Sequence, residues 1–175
     1  MKAQSEIVNN HTIAVLVDNE PGVLARVIGL FSGRGYNIES LTVAETDNVN
    51  AMSRITIVTN GTPMVIEQIK AQLSRLVPVH NVNDLTIEGA SVERELALIK
   101  VVSTEEKRVE SLRIADIFRA RVVDSTNESF VFEIVGDTGK LDAFIQLMEP
   151  LGLTEVSRTG VAAISRGVKA MDVAY

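Results

Sequence analysis

The sequence of 175 residues contains no cysteine and no tryptophan, and only 4% of its residues are aromatic. The lack of cysteine excludes a disulfide framework and a zinc site built on thiolates, and it fits the cytoplasmic location that we expect. With so few aromatic side chains, the core must be built from Val, Ile, Leu and Ala, which suits layered α/β packing. A hydrophobic share of 46% beside 23% charged residues indicates a folded chain.

Long apolar runs and an excess of positive charge are missing as well. No run of about 18 apolar residues is present, so the sequence predicts no membrane-spanning helix. Residues 1–12 lack the apolar stretch of a signal peptide. The formal net charge is −6. Because nucleic acids and anionic membrane surfaces are bound mainly through Lys and Arg, this charge argues against both kinds of partner.

Motifs of catalysis and cofactor binding are also not found. His11 and His80 each stand alone near a predicted strand end, so we interpret both as structural or surface groups and predict no metal site. The glycines of "GRGYNIE" (33–39) end a predicted helix instead of opening one, which excludes a dinucleotide-binding loop. There is no P-loop lysine motif and no Ser-His-acid arrangement. We therefore predict no catalytic residue and no cofactor in this chain.

The sequence does contain one pattern of strands and helices that occurs twice. In the first half, an apolar strand at residues 12–17 precedes a helix that is ended by "GRG" (33–35). The predicted apolar face of this helix is formed by Leu24, Val27, Ile28 and Phe31. Two strands, a second helix and a last strand complete the order βαββαβ. The second half repeats this order after a break at "EGAS" (88–91), with "STEE" (103–106) as a predicted capping box in which Ser103 is the cap.

Two βαββαβ units predict an α/β (α+β) protein with two ferredoxin-like sandwiches in tandem, each with its helices on one face of an antiparallel sheet. We place the first domain at residues 11–88 and the second at residues 92–167. RNA-recognition motifs share this element order, so a tandem RNA-binding domain is an alternative. Phe130 and Phe132 stand where such a domain has aromatic residues, but with Ile134 they alternate as an ordinary core face.

Two asparagines flank the first helix and suggest a ligand site. Asn19 precedes the helix, Gly22 lies in its predicted first turn, and Asn37 follows its end. A helix N-terminus offers free N–H groups and positive potential to a carboxylate, and a glycine lets a ligand come close. An asparagine side chain accepts from an ammonium group and donates to a carboxylate. The simpler interpretation makes Gly22 a tight helix entry and Asn37 a turn residue, but together they favour a site for a free amino acid.

The helix between the two asparagines covers about 14 residues, or roughly 20 Å, so one subunit does not bring both to one small ligand. A two-fold dimer does so if the helix start of one subunit lies beside the strand start of the other. In a βαββαβ sandwich, the strand that begins near Asn37 is at the sheet edge and is available for pairing. The sequence therefore predicts a homodimer formed by these edge strands, with a shared ligand site.

Several segments resemble the regulatory (small) subunits of acetolactate synthase, also called acetohydroxyacid synthase, which carry an N-terminal ACT domain. The similar segments, from His11 to about Gly167, are "NEPGVLARVIGLFSGRGYNIESLTVAETD", "SRITIV", "VERELALIKV", "RIADIFRARVVDST" and "RTGVAAISRG". The resemblance implies that catalysis lies in a large subunit, which uses thiamine diphosphate, with Mg and FAD, to condense two pyruvates or pyruvate with 2-oxobutyrate. This reaction belongs to branched-chain amino-acid biosynthesis, and the small subunit raises its rate and makes it sensitive to valine.

The same resemblance implies that L-valine binds between two ACT domains. The ligand positions of the family fall on Asn19, Gly22, Val23, Asn37 and Ile38. Val23 stands where a smaller alanine is common in the family, which bears on the preference among valine, leucine and isoleucine. We therefore expect a non-catalytic homodimer that binds the catalytic subunit and confers feedback inhibition by valine. An ACT-type amino-acid sensor of another enzyme is an alternative.

Overall fold

The computed structural model describes residues 7–171, and the chain divides into two compact units. The first unit takes in the chain up to Val92 and again from Ala162 onward, and the second is Glu93–Val161. Between residues 7 and 171, no helix has the length and apolar character that crossing a bilayer requires.

The first unit contains the first predicted βαββαβ motif. Its elements are β1 (Asn9–Asp18), α1 (Val23–Arg34), β2 (Ser40–Asp47), β3 (Met52–Gly61), α2 (Pro63–Leu73) and β4 (Val79–Asp84). The strands form one antiparallel sheet in the order β2-β3-β1-β4. The prediction that the strand after the first helix lies at a sheet edge is therefore confirmed.

An aliphatic core fills the space between this sheet and its two helices. Alternate residues of β1 point toward the helices, and in the register of β1 with β3 Val15 pairs with Ile55. The helices contribute Val23, Val27 and Phe31 from α1 and Ile66, Ile69 and Leu73 from α2. The buried residues of both helices are thus apolar, and those of the second helix are all aliphatic, as the composition leads us to expect.

The predicted apolar face of α1 is wrong at one end. Leu24 is 37% exposed, whereas Val23 is 4% exposed and belongs to the core. The buried row runs through residues 23, 27 and 31, with a spacing of four, and not through Leu24. Val23 and Leu24 are both apolar, and a row of apolar side chains that includes Val27 and Phe31 can begin at either residue. The periodicity alone therefore did not decide which of the two packs against the sheet.

The second unit repeats the order with larger side chains in its core. Its elements are β5 (Ser91–Val102), which begins in the first unit, α3 (Glu105–Phe118), β6 (Arg121–Ser125), β7 (Ser129–Gly136), α4 (Thr138–Gly152) and β8 (Leu153–Arg158). The strand order is β6-β7-β5-β8. Phe132 of β7 packs edge-to-face on Phe144 of α4 at 5.9 Å between ring centroids, and Phe130 and Ile134 are buried beside it. The prediction of an ordinary core face on β7 is confirmed.

An ion pair closes the second unit where β5, β8 and α4 meet. Arg158 donates to both carboxylate oxygens of the buried Glu95, at 2.8 and 2.7 Å, and to Asp142 at 2.7 Å. The hydrogen bond to Glu95 is the main reason that the pKa of the Arg158 guanidinium is raised. The bidentate geometry satisfies the buried carboxylate, which offsets the cost of its burial.

The predicted capping box of the third helix is wrong. The N-cap is Thr104, whose side chain makes no capping hydrogen bond. The backbone N–H of Ser103 donates to the carbonyl of Glu128 at 2.9 Å, so Ser103 still pairs with the neighbouring loop and the helix begins later. The Ser103 side chain is buried, and its hydroxyl has no hydrogen-bond partner within residues 7–171.

The βαββαβ order predicts one last strand for the second half, whereas the chain forms two strands there. After β8, Gly160 takes a φ of +85°, and the chain then forms β9 (Ala162–Ser165). β9 pairs with β5, whose first residues also belong to the first unit. The second predicted domain, at residues 92–167, thus contains a strand that groups with the first unit, because a glycine at positive φ redirects the chain before it.

We expect Gly152→Ala to lower the free energy of unfolding of the second unit by about 3 kcal/mol. Gly152 ends α4 at a φ of +108°, and an added Cβ would lie 2.0 Å from the carbonyl oxygen of Val102. The matched control is Gly29→Ala in the middle of α1, where a Cβ meets nothing within 4 Å. This control is expected to raise stability by about 0.5–1 kcal/mol. Urea unfolding followed by circular dichroism measures both, and a stable Gly152→Ala variant would contradict the close approach.

Candidate functional site

Gly22 begins α1 in a conformation that favours glycine. It is the N-cap of the helix, one position before the predicted first turn, with φ +88° and ψ −7°. This positive φ fits the interpretation of a tight helix entry. The space where a Cβ would stand is also open, with nothing within 4 Å. The N–H of Val23 donates to the carbonyl of Glu20 at 3.3 Å, and no side chain caps the helix, so the next N–H groups of the first turn have no partner within the helix.

The neighbouring Asn19 is exposed, and its position is fixed through the backbone. Its N–H donates to the carbonyl of Ala51 at 2.6 Å, in the turn between β2 and β3. Ala51 itself has a φ of +49°, which is uncommon for a residue with a Cβ and costs about 1–2 kcal/mol. Such strain persists where the surrounding structure holds it, and it is found at ligand-binding sites. The loop before α1 is thus anchored by a strained residue.

Asp47 orders the turn that carries Ala51. One carboxylate oxygen accepts the N–H groups of Val49 and Asn50 at 2.9 and 3.1 Å, and the other accepts the Asn50 side-chain amide at 2.7 Å. The hydrogen bond from the Asn50 side chain, followed by those from the backbone, lowers the pKa of the Asp47 carboxyl. The ionised carboxylate therefore fixes the turn, and the turn fixes the position of Asn19.

Asn37 lies exposed at the other end of α1, where Glu39 orients it. The amide of Asn37 donates to a carboxylate oxygen of Glu39, and that oxygen also accepts the amide of Asn60 at 2.8 Å. The backbone carbonyl of Asn37 accepts the hydroxyl of Thr59 at 2.5 Å. Glu39 was not among the predicted site residues. In the extended chain just before β2, residues two positions apart point to the same side, so the spacing from Asn37 could have indicated that Glu39 lies beside it.

The two apolar residues among the predicted site positions are packed inward. Val23 is 4% exposed and belongs to the core of the first unit, so its side chain faces the sheet and not the solvent. Ile38 is half-buried and packs against the same core. Both residues therefore belong to the apolar packing of the first unit, Val23 next to Gly22 and Ile38 next to Asn37.

One chain does not bring the two asparagines together. Asn19 and Gly22 lie at the start of α1, and Asn37 and Ile38 follow its end. The helix between them has 12 residues and is about 18 Å long. The edge strand β2 follows Asn37, and Val43 on this strand is 43% exposed. The separation and the exposed edge are the features from which a shared site was predicted.

The two histidines each contact a carboxylate that is remote in sequence. His11 Nδ1 lies 2.7 Å from Oδ2 of the fully buried Asp84, and His80 Nε2 lies 2.6 Å from Oδ1 of Asp18. In the part of the chain that the structure describes, no three His, Cys, Asp or Glu side chains gather as metal ligands. The partners are 73 and 62 residues apart, so local patterns did not reveal them.

Comparisons with known proteins agree along nearly the whole chain. Residues 13–81 match the family model of the AHAS small subunit-like ACT domain, and residues 94–167 match that of the small subunit of acetolactate synthase. A probable acetolactate synthase small subunit of Archaeoglobus fulgidus is 52% identical over 91% of this chain and 98% of that protein. The isozyme 3 small subunit of Escherichia coli is 48% identical over 91% of this chain and 97% of its own length.

A solved structure gives the same result in three dimensions. The crystal structure of the acetolactate synthase small subunit from Thermotoga maritima has a TM-score of 0.81 and 40% sequence identity. The match covers 91% of this chain and 98% of that chain. This chain and the Thermotoga maritima subunit therefore share one fold over nearly the whole length of both.

The Asp47 turn leads to a prediction on pH. The folded pKa of this carboxyl lies below its ordinary value of 3.8, so its stabilising contribution is complete above the ordinary value and is lost as pH falls through the folded pKa. We expect the amide protons of Val49 and Asn50 to titrate in NMR spectra with a midpoint below 3.8. Asn50→Ala should raise this midpoint, and Asn48→Ala in the same turn should leave it unchanged. A wild-type midpoint above 3.8 would argue against the turn geometry.

Proposed function

This chain belongs to the family of acetolactate synthase small subunits, and from that premise we propose that it binds L-valine between two copies of its ACT domain and so makes the catalytic subunit sensitive to valine. It is a regulatory, non-catalytic subunit, and the family implies a catalytic large subunit as its partner. The family relation leaves the alternatives of another ACT-type sensor and of an RNA-binding tandem domain without support. The further steps of the proposal concern the ligand, the dimer and the residues that hold them.

The observation that carries the proposal is the division of the candidate site between the two ends of α1. At the helix start, the open first turn after Gly22 suits a carboxylate, because the free N–H groups and the helix dipole favour negative charge. The side chain of Asn19, held in place through Ala51, offers an amide to the same carboxylate. This half of the site is therefore suited to the acid group of the ligand.

The other half of the site is suited to the ammonium group. Asn37 presents an amide oxygen, and the carboxylate of Glu39, to which the Asn37 amide donates, adds negative charge beside it. The half-buried Ile38 provides apolar surface for a short aliphatic side chain. We assign Glu39 as a positioning residue, since its carboxylate fixes which way the Asn37 amide faces. A ligand with both charges and a small aliphatic side chain satisfies the two halves at once.

Antiparallel pairing of two β2 edges would bring these halves together. The pairing would join the two sheets, and the two-fold axis would place Asn37 of one copy toward the helix start of the other. The apolar side chain of Val43 on this edge strand is 43% exposed. Its burial in a dimer would add to the hydrogen bonds between the strands.

We expect the isolated chain to form a homodimer through the first unit. Light scattering with L-valine present should give twice the chain mass of 19.0 kDa. Val43→Lys on the edge strand should shift the equilibrium toward the monomer, because two lysines would face each other across the axis. Val49→Lys is the matched control, since Val49 is 93% exposed in the turn beyond β2 and should leave the dimer intact. A wild-type monomer at micromolar concentration would exclude the shared site.

Reconstitution with the catalytic subunit tests the ligand assignment. We expect Asn37→Ala and Gly22→Asp to abolish valine inhibition of acetolactate formation while activation is largely retained. The first removes a polar contact, and the second places a carboxylate where the carboxylate of the ligand belongs. Losing one contact to a charged group is about as large as a typical allosteric coupling, on the order of 1–3 kcal/mol.

Two controls separate these effects from damage to the fold. Asn60→Ala removes the other amide that donates to Glu39, so inhibition should persist if only Asn37 contacts the ligand. In Gly22→Asn, the new residue tolerates a positive φ and adds no charge. Valine inhibition with this variant should therefore be closer to that of wild type than it is with Gly22→Asp. If the Asn37 and Gly22 variants activate poorly and remain valine-sensitive, these residues serve docking or folding instead.

A further inference from the structure

The helix-free face of the first sheet is buried, although both helices of the unit pack on the opposite face. The register of β1 with β3 places on this face Thr12, Ala14, Leu16, Arg54 and Thr56. The first three are 5%, 0% and 7% exposed, and Thr56 is 4% exposed. Within the same unit, β9 contacts β1, and Ala163 of β9 is 7% exposed. Residues 162–171, called here the C-terminal segment, therefore help to cover this face.

Arg54 is the side chain that holds the C-terminal segment at both ends. Its Nη2 donates to the carbonyl of Ala163 at 2.8 Å, and its Nη1 lies 3.5 Å from the sulfur of Met171. Both contacts are to neutral groups, and burial lowers the pKa of the guanidinium. A charged group that is half-buried against neutral acceptors gains hydrogen bonds but loses solvation. Arg54 therefore keeps its place through its hydrogen bonds to the C-terminal segment and not through a charged partner.

Two further contacts fix the C-terminal segment where the chain passes between the units. The N–H of Arg166 donates to the carbonyl of Ala90 at 2.9 Å, and Lys169 pairs with Glu88 at 3.3 Å. The chain enters the second unit after Val92 and returns at Ala162. The residues just before Val92 and just after Ala162 are thus held together by contacts within the first unit.

We propose that Arg54 couples the ligand state of the loop before α1 to the docking of the C-terminal segment. The proposal rests on the function proposed above. Ala51, which holds the N–H of Asn19, stands three residues before Arg54 in the chain. Arg54 pairs in register with Leu16 of β1 and with Ala44 of the edge strand β2.

In the proposed dimer, a ligand held by Asn19 restrains the loop that follows β1, and pairing with the second copy restrains β2. These two strands are the neighbours of β3 in the sheet. Restraint at Ala51 and at Ala44 limits the movement of Arg54, because these residues are linked by continuous backbone and by ladder hydrogen bonds. An ordered Arg54 keeps its two contacts to the C-terminal segment. Arg54 is a positioning residue in this scheme, since it reaches the segment and not the ligand.

Hydrogen exchange of the whole chain, with and without L-valine, tests the coupling. In wild type, valine should slow exchange of peptides that cover residues 162–171. In Arg54→Met, these peptides should exchange about tenfold faster, since a hydrogen bond from a charged group is lost, and they should no longer respond to valine. Arg54→Lys keeps the charge and one donor, so it should restore part of the response. Arg75→Met replaces an exposed arginine of the same unit and should behave as wild type.

A calorimetric titration of the same proteins with valine makes the outcomes distinct. If wild type binds valine and residues 162–171 exchange at an unchanged rate, the coupling is overturned and the proposed function stands. If Arg54→Met keeps the full response, Arg54 is not the link. An absence of valine binding in wild type overturns the proposed function, and the coupling with it. Circular dichroism shows whether Arg54→Met folds, and if it does not, Arg54→Lys decides through the size of its valine response.

Discussion

The length of α1 is the constraint on which the site depends. Twelve residues of helix, about 18 Å, separate the loop that carries Asn19 from the segment that carries Asn37, and no rotamer change spans that length. Asn37 also precedes an edge strand of the sheet. The geometry that separates the two asparagines is thus the reason that the proposed site needs a second copy of the chain. In such a dimer, ligand binding and association would be linked, and each would stabilise the other.

The backbone around this helix is specified by few residues with special conformations. Gly22 and Gly35 take positive φ at its two ends, and Ala51 takes it in the turn that holds Asn19. The glycines were recognisable in the sequence because a left-handed residue at a helix end favours glycine. Ala51 was not recognisable, since its conformation is imposed by the turn that Asp47 orders and by the contact with Asn19. Strain of this kind depends on the tertiary structure and leaves no mark in composition or periodicity.

The element order of both units and the edge position of β2 could be predicted, because alternation and a period of 3.6 report local burial directly. Three features depended on information that is not local. Val23 and not Leu24 enters the core, because the sheet selects between two adjacent apolar rows of α1. Ser103 continues the strand pairing through the Glu128 carbonyl and so does not cap the helix. β9 returns to the first unit, which a run of apolar residues cannot reveal.

The two units share one topology, but their first helices begin differently. In the second unit, the loop after β5 places Glu105 and Glu106 in the first turn of α3, where their charges would repel an acid group. Glu105 has a φ of +53°, close to the position where the first unit uses Gly22, so a side chain stands where the first unit is open. The hydroxyl of Ser103 is buried below this turn and does not reach solvent. The same element order thus begins its first helix with a glycine that has no side chain in one unit, and with two carboxylates in the other.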